Sequence, residues 1–394
     1  LKNNLPKFTP FKPIVPSNSR FAQQLTARSS DYDGQQALID EMLSNQLTWH
    51  HMTKKHLLSG DKNSSPMDFV HETTEYVENL WREKVIIEFT EKKYLYYFQN
   101  SGNYSVGGII GLTSLKDYEK GEIKIHEKTK PNRESFIHEI FNKTELIGEP
   151  VLLAYKGDRI IIDRDSLRNE LILDFTSIDG IRHQIFSIDE RVYPKIEYFF
   201  DSLSSLYVAD GHHRTHTIYQ YLNAKQQLEK GGLLSCIIHE DDMAVDAFHR
   251  KVKLELPQSE EIFLKKISNL GYEITRLPDV QMPSGPGEIV MLLENKAFML
   301  KKEVSSDVIE LESSIIKKLL RIEDSKSDKR IEFFPAKNVD KVRGEMGASQ
   351  IVFLLFPESF KTIRNVADNG ETMPPKSTYI SPKFRGGMIL HSLS

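Results

Sequence analysis

The segment 206–238 constrains the fold of this chain most strongly. An apolar run, Leu206–Ala209, stops at Asp210 and Gly211 and continues as a polar stretch rich in His and Arg. Apolar residues then recur at helical spacing until two glycines precede a second apolar run, Leu233–Ile238. The pattern predicts a strand, a glycine turn, a helix and a second strand.

The start of this predicted helix is a candidate anion site. The first backbone N–H groups of a helix have no partner within the helix, and the helix dipole is positive at that end. Arg214 would add two parallel donors for a phosphate. Two alternatives stay open: Asp210 caps the helix and the histidines are solvated, or His212 and His216 hold zinc. Zinc is disfavoured because Arg214 would repel a cation.

Length, charge and cysteine content limit the class of protein. A chain of 394 residues predicts more than one domain. The net charge of -4 provides no general attraction to nucleic acid or to anionic lipid, so we expect neither as a partner. No stretch approaches the roughly 18 apolar residues of a membrane span. The single cysteine, Cys236, excludes an internal disulfide framework, and we expect a cytoplasmic protein with Cys236 buried.

Changes in the sequence pattern predict three regions. They are an N-terminal α/β region (1–104), a core (105–240) and a C-terminal α/β region (241–394). Turn signals between apolar runs predict three hairpins, which join 93–98 to 106–111, 150–155 to 159–162, and 171–175 to 183–186.

A second chemical segment surrounds Glu127. The short predicted strand Ile123–Ile125 leads to this carboxylate, and four cationic side chains flank it: Lys124, Lys128, Lys130 and Arg133. Nearby cations would keep Glu127 ionised, which suits a base or a metal ligand beside phosphates. The alternative is a surface cluster of ion pairs.

Two further polar segments stand out. In Met373–Lys383, prolines fix the backbone on both sides of Lys376 and Ser377, which predicts a preorganised substrate contact or, alternatively, an ordered tail that covers a sheet. His249 and Arg250 form a polar pair in an apolar context, for which a solvated strand end is the expected structure and a contact with the anion site is the alternative.

Three motifs resemble those of family 1015 of the bacterial domains of unknown function, and they occur in the same order as in that family. They are Asp117-Tyr-x-x-Gly-x-Ile-Lys-x-His-Glu-x-Thr-x-Pro131, Asp210-Gly-His-His-Arg214 and Gly370-Glu-Thr-Met-Pro-Pro-Lys-Ser-Thr-Tyr-x-x-Pro-Lys383. The resemblance extends from Phe11 to the last residues. The chain departs from the family pattern at Ser29–Asp33, where a Pro-Pro-Tyr-Asp-like run is usual.

The His-Glu segment together with Asp-Gly-His-His-Arg is also similar to the ParB/sulfiredoxin-like fold, and within it to free serine kinases. This resemblance implies an α+β protein with a ParB/sulfiredoxin-like nucleotide-binding core and N- and C-terminal α/β elaborations. It further implies a phosphotransferase that uses ATP or ADP with Mg2+ and acts on a small hydroxylated metabolite, free L-serine being favoured. The alternative is a non-catalytic nucleotide-binding regulatory module of the ParB type, and a homodimer is left open.

The resemblance and the residue types together assign roles to individual positions. The predicted catalytic residues are Glu127 as the base, His213 at the transferring group, and Asp210, which is also the predicted metal ligand. The predicted nucleotide- or phosphate-binding residues are Gly211, His212, His213, Arg214 and Thr215. The predicted substrate-binding residues are Lys128, Thr129, Arg133, Lys376 and Ser377.

Overall fold

The computed structural model describes residues 7–28, 35–61, 63–102, 104–129, 131–163, 165–167, 170–229, 231–253, 259–294, 296–344, 347 and 349–393. These residues form two compact units. The first unit combines the described parts of Leu1–Met243 and Pro382–Ser394, and the second unit is Ala244–Ser381.

The described residues contain twenty strands. These are β1 (Phe8–Thr9), β2 (Ile14–Pro16), β3 (Ile86–Glu88), β4 (Leu95–Asn100), β5 (Ser105–Thr113), β6 (Ile123–Lys124), β7 (Leu146–Ile147), β8 (Val151–Tyr155), β9 (Leu171–Thr176), β10 (Arg182–Ser187), β11 (Leu206–Asp210), β12 (Leu233–His239), β13 (Ala244–Lys253), β14 (Glu273–Leu277), β15 (Glu288–Leu293), β16 (Lys296–Lys301), β17 (Ile331–Pro335), β18 (Gln350–Leu355), β19 (Thr378–Ser381) and β20 (His391–Ser392).

The same residues contain twelve α-helices. These are α1 (Ser19–Leu25), α2 (Gln35–Ser44), α3 (His50–Thr53), α4 (Glu72–Arg82), α5 (Leu115–Glu119), α6 (Pro131–Thr144), α7 (Tyr193–Ser202), α8 (His212–Ala224), α9 (Glu260–Ser268), α10 (Asp307–Glu310), α11 (Val339–Gly344) and α12 (Phe360–Asp368). A π-helix, Leu311–Leu319, follows α10 directly. Short 3-10 helices occupy Lys55–Ser59, Pro66–Phe69, Asp165–Leu167, Glu190–Val192, Glu240–Asp242 and Ala336–Asn338.

A nine-stranded sheet organises the first unit. Its order is β6-β11-β8-β12-β5-β4-β10-β9, and β1 pairs with β5. The pairs β6–β11 and β8–β12 are parallel, whereas the other pairs are antiparallel. Strands β8 and β12 are buried along their whole length, in keeping with their largely apolar sequences. Two small sheets, β2–β3 and β20–β7, complete the unit.

Helix α8 packs its apolar side into this unit. Ile218 and Leu222 are fully buried, and Tyr221 makes an edge contact with Phe141 of α6. The recurrence of apolar residues at positions 218, 221 and 222 places them on one face of the helix, which is why this sequence forms a helix against a core. The polar start of the helix is thereby fixed at the end of β11.

The second unit is built on a seven-stranded antiparallel sheet. Its order is β14-β16-β15-β18-β13-β17, and β19 pairs with β13. An apolar core that includes Val252, Ile289, Ile315 and Phe353 joins the sheet to the helical segments. The mixed α/β architecture with several sheets agrees with the α+β class predicted from the sequence.

Several local predictions are confirmed. Strand β11, helix α8 and strand β12 follow in the predicted order, although the helix ends at Ala224, before the two glycines. The hairpins β4–β5 and β9–β10 form, and Cys236 is fully buried.

Two predictions differ from the structure, and one stays open. The hairpin from 150–155 to 159–162 is wrong, because β8 pairs with β11 and β12 and no strand is assigned to 159–162. Strands β4 and β5, on either side of the 104/105 boundary, are paired neighbours in one sheet, and the division into three regions stays a prediction. His249 and Arg250 are not a solvated strand end, since both are fully buried within β13.

Candidate functional site

Three chain segments converge at one edge of the large sheet. Strands β6 and β11 are parallel, so the residues that follow them, 125–129 and 211–214, emerge at the same edge. Strand β8 is antiparallel to β11 and therefore begins there, directly after Glu149 and Pro150. The sheet topology thus brings together the two motifs that the sequence predicted to share a site.

Gly211 makes the turn between β11 and α8. Its backbone lies in the left-handed region, with φ 102° and ψ 26°. An added Cβ would approach both Arg214 Nη2 and Val151 Cγ2 to 3.1 Å. The turn therefore needs glycine for its backbone angle and for the close approach of its neighbours.

Thr215 closes the first turn of α8. Its backbone N–H donates to the carbonyl of Gly211 at 2.9 Å, and its hydroxyl donates to the same oxygen at 3.1 Å. The side chain is fully buried. These bonds help to shape the turn, and direct phosphate binding by Thr215 stays a prediction.

Two buried histidines join the segments after β6 and β11. The rings of His126 and His212 meet edge to face with centroids 4.4 Å apart, and the backbone N–H of His126 donates to His212 Nε2 at 3.4 Å. Burial is the main cause that lowers the pKa of each ring to about 3, and for His126 the neighbouring His212 contributes to the same shift. Both rings are therefore neutral at neutral pH, and they hold Glu127 beside the start of α8.

Arg214 is bonded to the protein through both of its terminal nitrogens. Nη1 donates to the carbonyls of Glu149 and Pro150 at 3.0 and 2.7 Å. Nη2 donates to Asp210 Oδ2 at 3.0 Å and lies 3.2 Å from Glu149 Oε1. In this arrangement Arg214 fixes the start of β8 to the end of β11, and phosphate binding by its guanidinium stays a prediction.

Asp210 lies between two cations. Arg214 bonds to its Oδ2, and the ammonium of Lys383 bonds to its Oδ1. Burial alone would raise the pKa of Asp210, but Lys383 and Arg214 more than offset this and hold the pKa below its usual value. Asp210 is therefore ionised, and the site contains a second positive charge that the sequence did not predict.

Lys383 was missed although its motif was noticed. The sequence directed attention to Lys376 and Ser377, which lie in the second unit, where Lys376 Nζ stands 5.3 Å from the ring centre of Phe248 and Ser377 bonds to the carbonyl of Pro374. Lys383 belongs to the segment that returns to the first unit. The signal was its position at the end of the C-terminal motif. Substrate contacts of Lys376 and Ser377 stay predictions.

The remaining predicted residues of the first unit lie within the converging segments, except Arg133, which lies in α6. Glu127, Thr129 and His213 are half-buried, and Lys128 and Arg133 are exposed.

Glu127 and Asp210 both act electrostatically on the ring of His126, which places both carboxylates near that ring. Burial raises the pKa of Glu149, and Arg214, Lys383 and, to a smaller extent, Arg133 in the first turn of α6 oppose this rise.

The arrangement suits an anion better than a metal ion bound by protein alone. Within the described part of the chain, no group of three or more His, Cys, Asp or Glu side chains is placed to hold a metal. Both oxygens of Asp210, the predicted ligand, accept hydrogen bonds from cations. His216 contacts Tyr118 and Gln220 through its two ring nitrogens, whereas His212 contacts His126.

The match to a protein family now identifies the chain. A family model described as "Protein of unknown function (DUF1015)" matches residues 8–321. The chain belongs to this family. DUF1015 membership confirms the resemblance recognised from the motifs, two of which lie within the matched range, whereas Gly370–Lys383 lies beyond it. No curated protein matches the chain.

Solved structures offer distant likenesses. A C-terminally truncated SbnI from Staphylococcus aureus is 14% identical, with 69% of this chain and 82% of that chain covered and a TM-score of 0.38. A free serine kinase variant in complex with ADP is 14% identical, with 74% and 90% covered and a TM-score of 0.37. A conserved hypothetical protein from Pyrococcus furiosus is 15% identical, with 70% and 93% covered and a TM-score of 0.36. At TM-scores below 0.5, none of these likenesses bears on the activity of this chain.

Among the residues for which the structure gives positions, no helix combines the length and apolar character needed to cross a membrane.

Proposed function

We propose that this DUF1015 protein is a nucleotide-dependent phosphotransferase that acts on a small hydroxylated metabolite, with free L-serine as the favoured acceptor. The ParB/sulfiredoxin-like nucleotide-binding core over 105–240 is part of this proposal. So are ATP or ADP as the donor, Mg2+ bound together with the nucleotide, and location in the cytoplasm without a nucleic-acid partner. The homodimer stays an open prediction.

The contact between His126 and His212 is the main observation that supports this function. It joins the segment that bears Glu127 to the start of α8, where backbone N–H groups of the first turn favour an anion. A phosphate-binding helix start beside an acidic side chain is an arrangement that phosphoryl transfer can use, because this reaction depends mainly on alignment and charge neutralisation.

The proposed reaction assigns one task to each group. The first turn of α8 binds the terminal phosphates of the nucleotide, and His213 contacts the phosphoryl group that is transferred. Glu127 accepts the proton of the acceptor hydroxyl, and the oxygen of that hydroxyl forms the new bond to phosphorus. The bond from phosphorus to the bridging oxygen breaks, and the shortened nucleotide leaves. Asp210 and Arg214 hold the turn in place.

The test is a phosphorus NMR screen of the purified protein with Mg2+, ATP or ADP, and a panel of small hydroxyl compounds that begins with L-serine. We expect a new phosphomonoester signal that depends on both the acceptor and the protein. Glu127→Gln should lower the rate by about a hundredfold or more, because a general base contributes roughly that factor. Nucleotide affinity should change little, since Glu127 acts on the acceptor.

Three outcomes would contradict parts of this proposal or all of it. Unchanged phosphotransfer by the Glu127→Gln variant would remove the base assignment. Nucleotide binding without turnover, coupled to a change in association, would favour the regulatory module of the ParB type. No nucleotide binding at all would refute both functions.

A further inference from the structure

We propose that Lys383 is the side-chain cation that contacts the nucleotide phosphates, and that Arg214 positions the site without leaving its protein partners. This inference rests on the proposed function and assigns a binding residue that the sequence analysis did not. Lys383 is 173 positions from Asp210 in the sequence, yet its ammonium bonds to Asp210 Oδ1. Asp210 is the residue immediately before the turn that begins α8.

The segment that carries Lys383 is anchored firmly in the first unit. The backbone N–H of Gly387 donates to the carbonyl of Gly148 at 2.9 Å. Gly386 and Ala27 exchange two backbone hydrogen bonds, at 2.9 and 3.0 Å. Further along, β20 pairs with β7, with His391 opposite Ile147. These contacts tie the C-terminal segment to the stretch that leads into Glu149.

Arg385 and Trp49 reinforce this anchor. Arg385 is 4% exposed and donates to both carboxylate oxygens of Asp179, at 3.1 and 3.3 Å, and to the hydroxyl and carbonyl of Thr26. The ring of Trp49 lies so close to Gly386 and Gly148 that an added Cβ would approach it to 2.4 and 2.2 Å. Lys383 therefore extends from a fixed backbone, two residues before the Arg385 clamp.

The two cations of the site differ in their capacity to respond to a ligand. Arg214 bridges two carbonyls and two carboxylates, so its movement would leave several half-buried oxygens without a donor. Lysine carries a compact charge on a flexible stem and can exchange a carboxylate for a phosphate oxygen without losing an ionic partner. The ammonium of Lys383 bonds to Asp210, and its charge also lowers the pKa values of Glu149 and His212.

The experiment is a calorimetric titration of the full chain with ADP and with adenosine, which lacks phosphates. For Lys383→Met we expect ADP affinity to fall by about tenfold or more, as for loss of a charge-assisted contact, and adenosine affinity to stay as in the wild type. Lys383→Arg should retain most of the ADP affinity because it keeps the charge. The matched control is Lys116→Met, which removes an exposed lysine paired with Glu229, and it should bind both ligands normally.

The outcomes separate this inference from the function on which it rests. If the wild type binds ADP and Lys383→Met binds it equally well, the Lys383 assignment is wrong and the proposed function stands. An equal loss of ADP and adenosine affinity, with an earlier thermal unfolding transition, would show a structural role and would also overturn the assignment. A wild type that binds neither ADP nor ATP refutes the function and the inference together.

Discussion

At the scale of single residues, the site depends on a few side chains whose charge or shape is set by their neighbours. Gly211 permits the turn, the neutral rings of His126 and His212 join two segments, and Asp210 stays ionised between Arg214 and Lys383. Each of these features follows from burial or from a named contact, and each can be altered separately.

Replacement of Gly211 tests the turn. Gly211→Ala places a side chain at φ 102° and crowds Arg214, so we expect a loss of about 2–3 kcal/mol in the free energy of unfolding, together with weaker ADP binding. The measurement is urea unfolding alongside an ADP titration. The matched control is Gly157→Ala, at φ 122°, where an added Cβ has no neighbour within 4 Å among the described residues.

The control should show backbone strain alone, about 1–2 kcal/mol, and unchanged ADP affinity. Equal effects of the two substitutions on stability and on ADP binding would mean that the turn at Gly211 has no special part in the site.

The buried histidine pair predicts a pH dependence of stability. The unfolded chain takes up protons on these rings below about pH 6.5, whereas their pKa in the folded chain is about 3. Folding stability should therefore decrease as the pH falls from about 6.5 towards 3, by at most about 1.4 kcal/mol per pH unit for each ring. Urea unfolding at several pH values measures this slope.

Two variants identify the source of that slope. His126→Asn should reduce the loss of stability between about pH 6.5 and 5 by roughly 2 kcal/mol, because one titrating ring is removed. His71→Asn, whose side chain is 70% exposed in the native protein, serves as the control and should keep the wild-type slope. An unchanged slope in His126→Asn would contradict the account of the buried pair.

At the scale of elements, the parallel pair β6–β11 and the start of α8 create the site. The strand, turn, helix and strand over 206–239 were predictable, because apolar periodicity and a glycine turn are local signals. The partners of Arg214 and Asp210 were not, since the carbonyls at 149 and 150 are 65 and 64 positions from Arg214, and Lys383 is 173 positions from Asp210. Such pairings follow from sheet order, which one sequence does not reveal.

The wrong predictions have the same physical origin. The Lys156-Gly157-Asp158 turn signal predicted a hairpin between β8 and residues 159–162, but β8 pairs with β11 and β12. Arg250 was expected in solvent because burial of a guanidinium is costly. It is buried because it donates to the carbonyls of Phe248 and Pro375 and packs on the ring of Phe333.

Hydrogen exchange tests the role of the elements. We expect ADP to slow amide exchange in the peptide that contains the first turn of α8 and in the peptide that follows β6, because a bound phosphate would shield those N–H groups. Helix α12, in the second unit, is the internal control and should exchange at the same rate with and without ADP. Slower exchange in α12 with no change at α8 would place the ligand elsewhere.

At the scale of the whole molecule, the two units differ in how the chain builds them. The second unit is one continuous segment, Ala244–Ser381, with its own apolar core. The first unit needs both ends of the chain, because Pro382–Ser394 supplies Lys383, Arg385 and β20. A continuous unit with its own core is expected to fold alone.

Two truncated chains test this division. The segment 244–381 expressed alone should show a cooperative thermal transition by circular dichroism. A chain that ends at Ser381 should unfold at a lower temperature than the full chain and should lose ADP affinity, because the anchors of the C-terminal segment and Lys383 are removed together. An unfolded 244–381 segment, or full ADP affinity in the shortened chain, would contradict this division.

A crystal structure of the full chain with ADP tests most directly whether the start of α8 and Lys383 bind the nucleotide phosphates. We expect the diphosphate to lie within hydrogen-bond distance of the backbone N–H groups at the start of α8 and of Lys383 Nζ, with Glu127 on the adjacent segment. A diphosphate bound at any other place in the molecule would contradict this expectation.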